Sequence, residues 1–142
     1  MVRVMASGVF DIIHTGHVSY LRQAKALGDE LIVVVACDET VRKNKHEPVT
    51  PEKMRVEIVG SLKPVDTAIL GKEGDIFSVV KEVSPDIIVL GFDQAFREND
   101  LRKGLEANGL GHIVVTRAAE YSEDLTATRR IIEKIRDLEG RS

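Results

Sequence analysis

Apolar runs rich in β-branched residues alternate with amphipathic segments along the whole chain. The clearest run is Leu31–Cys37 (LIVVVAC), which is almost continuously apolar, as is typical of a strand covered on both faces. Parallel sheets provide that environment, because a crossover helix connects each strand to the next and packs on the sheet. The alternation therefore predicts an α/β fold built on a parallel sheet.

Residue spacing predicts the individual elements. Strands are predicted in RVMASG, DELIVVVACD, KPVDTAILG, DIIVLGFD and HIVVTR, and helices in VSYLRQAKALG, PEKMRVEIVGSL, DIFSVVKEVSP, ENDLRKGLEANG and from about Thr126 to Leu138. In the second of these helices, Met54, Ile58 and Leu62 form one stripe. We expect a doubly wound, Rossmann-like sheet of five parallel strands in order 3-2-1-4-5, with helices on both faces.

Length and composition limit the domain organisation and the partners. The chain has 142 residues, of which 43% are hydrophobic, enough for one ordinary core and too few for two comfortable domains. We therefore expect a single domain over residues 1–142. With a net charge of −3, no Trp and 4% aromatic residues, the chain lacks the features typical of duplex-binding and single-strand-binding proteins. We expect no nucleic-acid partner.

The same sequence indicates a cytoplasmic protein with no membrane partner. The longest apolar run is far shorter than the roughly 20 residues that a membrane-spanning helix requires, and the N-terminal MVRVMASG lacks a signal-peptide core. The single cysteine, Cys37, cannot form an internal disulfide and follows a valine run. We interpret it as a small buried residue rather than a reactive thiol.

Three polar clusters follow predicted strands, at the point where each strand ends. They span Asp11–His17, Asp38–Lys45 and Gly91–Arg97. Ligands of doubly wound sheets bind beyond the carboxyl ends of the strands, so we expect these clusters to form one site. The stretch RKNKHEPVT within this region lacks periodicity and carries four basic or imidazole groups, which predicts either a solvated loop or a mobile arm over the site.

His14 and His17 lie at the predicted start of the first helix, with Gly16 between them. A helix N-terminus presents unpaired N–H groups and a partial positive charge, and two imidazole donors would reinforce its attraction for phosphate. A helix cap or a surface histidine is the structural alternative. A zinc site is a second alternative, although no cysteine or suitably spaced third histidine accompanies the pair.

The stretch GVFDIIHTGH resembles the G-x-F-D-x-x-H-x-G-H signature of the cytidylyltransferase-like nucleotidyltransferases, whose H-x-G-H element binds the triphosphate of the nucleotide. GDELIVVVACDETVRKNK, LKPVDTAILG and PDIIVLGFDQ are further similar, in order and spacing, to the archaeal FAD synthases. The resemblance implies transfer of AMP from ATP to FMN, by in-line attack without a covalent intermediate. It also implies a divalent cation, Mg²⁺, and a homodimer.

Two other functions are compatible with the residues. The glycerol-3-phosphate cytidylyltransferases share the first motif and the overall pattern, so a cytidylyltransferase that uses CTP and glycerol-3-phosphate or a similar alcohol phosphate is the first alternative. A nucleotide-binding module without catalytic activity is the second, because the last motif of the family is altered in this chain.

By the same resemblance, His14 and His17 are catalytic and donate to the phosphates and to the charge that grows around the α-phosphorus. The residues implied to surround the nucleotide are Val9, Phe10, His14, Thr15, Gly16, His17, Asp93, Tyr121 and Thr126. Phe10 is equally compatible with the core. Asp93 is expected to accept from the ribose hydroxyls or the adenine amine. Asp11 is either a magnesium ligand or a capping acceptor that orients the histidine turn.

Basic residues are implied on the acceptor side of the site. Lys45 is expected to act in catalysis and Lys43 to bind substrate, although both are equally compatible with solvated positions. Arg55 is implied to bind the acceptor phosphate, and its alternative is a surface ion pair with Glu52 or Glu57.

The last motif of the family, R-T-x-G-I-S-T-[ST], corresponds here to YSEDLTAT, residues 121–128. Tyr121 stands in place of the arginine, and Arg129 or Arg130 could substitute for that group. Thr126 and Thr128 retain hydroxyls at the start of a helix, where they suit phosphate binding and simple capping equally well.

Overall fold

The computed structural model describes residues 1–44, 47–94, 97–120 and 128–140. Within these ranges the strands are β1 Arg3–Gly8, β2 Glu30–Val35, β3 Thr67–Leu70, β4 Ile87–Leu90 and β5 Val114–Arg117. The helices are α1 Thr15–Ala26, α2 Asp38–Asn44, α3 Glu52–Gly60, α4 Ile76–Val83, α5 Glu98–Ala107 and α6 Thr128–Glu139.

The five strands form one parallel sheet in the order β3-β2-β1-β4-β5, which confirms the predicted fold. In register, Arg3 pairs with Glu30 on β2, and Ala6 pairs with Val89 on β4. From β1, strands β2 and β3 are added on one side of the sheet, and β4 and β5 are added on the other side. The strand order therefore reverses between β1 and β4. Such a reversal leaves a crevice at the carboxyl ends of the two strands.

Two apolar layers cover the two faces of the sheet. On β1, successive side chains point to opposite faces, so Val4 and Ala6 belong to one layer and Met5 to the other. Helices α1 and α3 cover the first layer, with Leu21, Ala24 and Val59. Helices α4 and α5 cover the second, with Val79, Val80, Val83, Leu101 and Leu105. Burial on both faces explains why the central strands β2 and β4 are almost continuously apolar.

The structure differs from the sequence-based predictions in three places. Helix α2 occupies part of the stretch expected to be a loop or an arm. Helix α3 buries Arg55 and Val59, whereas Met54 and Ile58 of the predicted stripe are 46% and 41% exposed. Cys37 is half-buried, and its Sγ lies 3.2 Å from the Thr40 hydroxyl. The helices in the described ranges are not long and apolar enough to cross a bilayer.

Candidate active site

The connection from β1 to α1 is a strained turn packed on the core. Phe10 and Ile12 adopt left-handed backbone conformations, with φ of 56° and 57°, which are unfavourable for bulky side chains and cluster at functional sites. The Phe10 ring is 3% exposed and its centroid lies 5.3 Å from that of His17. A Cβ on Gly8 would lie 3.0 Å from this ring, so the close packing depends on glycine there. Of the two interpretations of Phe10, the structure places its ring in the core.

The two histidines of the motif cap helix α1. His14 is the N-cap residue, and its Nδ1 accepts a hydrogen bond from the backbone N–H of Gly16 at 3.1 Å. His17 Nδ1 accepts from the backbone N–H of His14 at 3.2 Å. Because a backbone N–H can only donate, both Nδ1 atoms are unprotonated, and each neutral imidazole carries its proton on Nε2. The cap therefore determines the tautomer of both rings.

The environment of His14 favours its neutral form. Burial lowers the pKa of His14 below its usual value of 6.5, and the negative charge of Asp93 partly opposes that shift. The same ring lies at the start of α1, where the N-terminal partial positive charge attracts anions. Two Nε2–H donors at a positive helix end suit a phosphate. Because capping uses Nδ1 and phosphate binding would use Nε2, the two histidines can both cap the helix and bind a phosphate.

Tyr20 anchors this helix end to the strands, a role that the sequence analysis missed. Its hydroxyl donates to the carbonyl of Val89 on β4 at 2.6 Å and lies 3.1 Å from the backbone N–H of Ser7, which donates to it. Burial raises the pKa of Tyr20. The sequence feature that could have indicated this role is the position of Tyr20 three residues after His17, on the helix face that packs toward the sheet.

Asp11 fixes a different loop from the one expected. Its carboxylate accepts from the backbone N–H groups of Val49 and Thr50 at 2.7 and 3.0 Å and from the Thr50 hydroxyl at 2.6 Å. Although burial raises the pKa of Asp11, these hydrogen bonds and the charge of Arg55 lower it below its usual value. The expected capping acceptor thus receives hydrogen bonds from the 49–50 loop, whereas the histidine turn is capped by its own imidazoles.

Arg55 lies inside the protein, so the expected surface ion pair with Glu52 or Glu57 is wrong. Its side chain is fully buried. The guanidinium donates to the carbonyls of Thr50, Val9 and Ala36 at 3.0, 2.9 and 2.6 Å, and its Nη2 donates to Asp38 Oδ1 at 2.6 Å. Arg55 therefore joins the ends of β1 and β2 to α2 and to the loop before α3, and it has these protein acceptors where we expected a substrate phosphate.

The turn after β4 brings Asp93 to the same edge of the sheet. Gln94 closes this turn, since its Oε1 accepts from the backbone N–H of Gly91 at 2.7 Å and its Nε2 donates to the carbonyl of Ser7 on β1 at 2.9 Å. Asp93 is exposed, and its charge acts on His14 across the β1–β4 crevice. The first and third polar clusters of the sequence thus meet at this crevice.

The structure describes three further predicted site residues, Thr15, Gly16 and Lys43. Thr15 is the exposed first residue of α1, and Gly16 follows it. Lys43, on α2, is exposed and forms an ion pair with Glu73. Lys45, Tyr121 and Thr126 lie outside the described residues, so their predicted roles stay predictions.

A family model described as cytidylyltransferase-like matches residues 5–134. The chain belongs to the cytidylyltransferase-like family. The match confirms the family that the motif GVFDIIHTGH predicted. It covers the chain from β1 to the middle of helix α6.

Within this cytidylyltransferase-like family, the chain is similar to several proteins named FAD synthase. That of Thermoplasma acidophilum is 52% identical over 140 residues, which cover 99% of this chain and 98% of that protein. That of Aciduliprofundum boonei is also 52% identical, over 96% of this chain and 92% of that protein. That of Archaeoglobus profundus is 50% identical, over 97% and 88%.

Solved structures share the fold of this cytidylyltransferase-like chain. The structure described as the lipopolysaccharide core biosynthesis protein from Thermoplasma volcanium GSS1 is 49% identical, with a TM-score of 0.84 over 86% of this chain and 99% of that one. A protein with unknown function from Archaeoglobus fulgidus is 18% identical, with a TM-score of 0.67 over 82% of this chain and 89% of that one. The second similarity concerns the fold alone.

Proposed function

We propose that the chain is an FAD synthase, a nucleotidyltransferase that transfers AMP from ATP to FMN and releases pyrophosphate. The observation that carries this proposal is the similarity to FAD synthases of about 50% identity over nearly the whole chain. The histidine motif at the start of α1 and the crevice at the β1–β4 reversal support the same proposal, since ligands of such sheets bind at this reversal. ATP and FMN are therefore its substrates.

The reaction needs positioning and charge stabilisation rather than a protein nucleophile. A phosphate oxygen of FMN attacks the α-phosphorus of ATP in line, a bond to the α-phosphorus forms, and the bond to the leaving pyrophosphate oxygen breaks. We assign His14 and His17 to donate from Nε2 to the phosphates, since their Nδ1 atoms accept from the backbone. Donors that are already fixed by the helix cap need little reorganisation as negative charge grows on the leaving oxygen.

The nucleotide and acceptor roles of the other residues are part of this proposal. Asp93, at the crevice, accepts from the ribose hydroxyls or the adenine amine. Thr15 and Gly16, together with Val9, lie where the triphosphate approaches the helix start. Lys43 and Lys45 bind or polarise phosphates from the α2 side, and Tyr121 and Thr126 complete the nucleotide site.

A divalent cation, Mg²⁺, belongs to the proposal as the partner of ATP, where it neutralises phosphate charge. The described residues contain no cluster of three His, Cys, Asp or Glu side chains suited to a metal ion. Both carboxylate oxygens of Asp11, the predicted ligand, accept hydrogen bonds from Val49 and Thr50. The described donor set therefore does not fit a magnesium ion held by protein ligands alone. A homodimer and a cytoplasmic location complete the proposal.

A matrix of nucleotides and acceptors tests the function. The purified protein is incubated with MgCl₂ and each combination of ATP or CTP with FMN or glycerol-3-phosphate, and the products are separated by liquid chromatography. We expect FAD and pyrophosphate from ATP and FMN. A CDP-alcohol from CTP with no FAD would favour the cytidylyltransferase, and ATP binding without turnover of any acceptor would favour the non-catalytic module.

A further inference from the structure

Arg117, the last residue of β5, contacts the turn that follows the neighbouring strand β4. Its Nη1 donates to the carbonyls of Gly91 and Gln94 at 2.7 and 3.0 Å, with a longer contact of 3.3 Å to the carbonyl of Phe92. Its Nε and Nη2 donate to Glu98 Oε1 at 2.8 and 2.5 Å. One guanidinium thus holds three carbonyls of a four-residue turn and the first residue of helix α5.

The same turn is held from its other side by Gln94. The side-chain amide of Gln94 bridges the backbone N–H of Gly91 and the carbonyl of Ser7 at the end of β1. Arg117 acts on the turn from β5, and Gln94 ties it to β1. Between these two attachments lies Asp93, which is the exposed residue at the crevice.

The sheet does not need Arg117 to hold β5 in place. The backbone N–H of Ala118 donates to the carbonyl of Leu90 at 2.8 Å and continues the β4–β5 ladder past Arg117. A second arginine, Arg102 of α5, donates to the carbonyl of Val115 at 2.8 Å and ties the helix to the strand. Beyond these attachments, the hydrogen bonds of Arg117 fix the conformation of residues 91–94.

A planar guanidinium is suited to fixing the turn, because its N–H groups point in fixed directions and can bind several acceptors at once. Three carbonyls of one turn can be satisfied together only if the turn keeps one shape. An aspartate on such a turn has its carboxylate placed before the nucleotide binds, which avoids part of the ordering cost of binding.

We propose that Arg117 is a positioning residue for nucleotidyl transfer, which fixes the 91–94 turn so that Asp93 meets the nucleotide beside His14. The inference rests on the proposed function. Arg117 itself touches the turn and Glu98, and it acts on the nucleotide through Asp93.

The test compares variants of the full-length enzyme in FAD formation. Arg117→Met removes the donors at similar volume, and Arg117→Lys keeps the charge near Glu98 without the planar fork. Asp93→Asn and the double variant Arg117→Met/Asp93→Asn complete a cycle. Arg102→Met is the matched control, since it also removes an arginine bound to a backbone carbonyl, but one outside the turn.

We expect Arg117→Met to raise KM for ATP roughly tenfold, with KM for FMN within about twofold of the unsubstituted chain, because misplacing one binding group weakens one substrate. The double variant should be no worse than Asp93→Asn alone, since residues that act as one unit are not additive. Arg102→Met should leave KM for ATP unchanged. Calorimetric ATP affinities should follow the same order.

The proposal is overturned if the KM values of Arg117→Met are unchanged, or if its effect adds fully to that of Asp93→Asn. If Arg117→Met does not fold, as judged by circular dichroism, Arg117→Lys decides the question by the same criteria. If the unsubstituted chain forms no FAD, the proposed function fails instead, and the calorimetric ATP affinities alone decide the role of Arg117.

Discussion

The imidazole rings of His14 and His17 stack at the start of helix α1, with centroids 3.8 Å apart and planes inclined by 26°. Each ring uses Nδ1 to accept a backbone N–H, and the two bonds form a reciprocal cap. The motif thereby gives both histidines one tautomer. The structural function and the proposed chemical function of the pair use opposite nitrogens of the same rings.

Titration of His14 tests this arrangement. Because burial lowers its pKa, we expect the ring to become protonated only below pH 6.5, and to carry its proton on Nε2 at neutral pH. Asp93→Asn removes the opposing negative charge, so the pKa of His14 should fall further. Long-range ¹H–¹⁵N correlation spectra measure both the tautomer and the pKa of His14. A proton on Nδ1 at neutral pH would contradict the cap.

Substitutions at His17 should separate capping from catalysis. Asparagine can accept the His14 backbone N–H at the place of Nδ1 but has no donor at the place of Nε2. His17→Asn should therefore lose roughly 100-fold or more in kcat, as for other groups that stabilise developing charge, and retain more stability than His17→Ala. Urea unfolding and steady-state FAD formation measure the two effects. If both variants lose the same stability, His17 does not act as a cap. If His17→Asn keeps its activity, His17 does not act as a donor to the phosphates.

Thr50 should contribute to stability through Asp11. Thr50→Val removes the hydroxyl that donates to the buried carboxylate, and we expect the free energy of unfolding to fall by about 1–3 kcal/mol at pH 7. Thr50→Ser, which keeps the hydroxyl, is the matched control and should lose less. Urea denaturation measures both.

The hydrogen bond between Thr50 and Asp11 also predicts how the free energy of unfolding depends on pH. The pKa of Asp11 in the folded chain lies below its usual value of 3.8, so the carboxylate stabilises the fold above about pH 4, and this contribution is lost as the pH falls through the lowered pKa. Thr50→Val removes part of the shift, so the difference in stability between the variant and the unsubstituted chain should narrow in acid. A constant difference from pH 7 to pH 3 would contradict this.

Replacement of Arg55 should damage the fold. Arg55→Met leaves Asp38 and three backbone carbonyls without their donor, and breaking a buried ion pair of this kind costs about 3–5 kcal/mol of unfolding free energy. Arg55→Lys should also destabilise, since an ammonium group cannot reach four acceptors in the plane of a guanidinium. Arg136→Lys, at an exposed position of α6, is the control. A stable Arg55→Met with a raised KM for FMN alone would instead support the phosphate-binding role.

The central strands β2 and β4 could be predicted because most of their side chains are buried, on both faces of the sheet, which requires apolar runs such as Leu31–Cys37. The histidine pair could be predicted because its spacing in one helical turn is local. Helix α2 could not, since its sequence DETVRKN is polar and its buried residue is Val41. Its first residue, Asp38, is held by Arg55 and by Glu52, contacts that form only in the folded chain.

Two arginines that hold loops in place, Arg55 and Arg117, show the same limit. Arg55 stands in a helix among charged residues, and its acceptors come from four segments that only the fold brings together. The acceptors of Arg117 are mainly backbone carbonyls, which leave no trace in the side-chain sequence. The sequence therefore predicted where the polar clusters lie, but it did not predict the structural roles of Arg55 and Arg117.

Transfer of label from ATP tests the central claim most directly. The protein is incubated with FMN, MgCl₂ and either [α-³²P]ATP or [γ-³²P]ATP, with His17→Ala as the control. We predict that the α-label appears in FAD and the γ-label in pyrophosphate, and that both products fall by orders of magnitude in the control. An α-label that stays in ATP, or that appears in AMP or ADP without FAD, would contradict the assignment of this chain as an FMN adenylyltransferase.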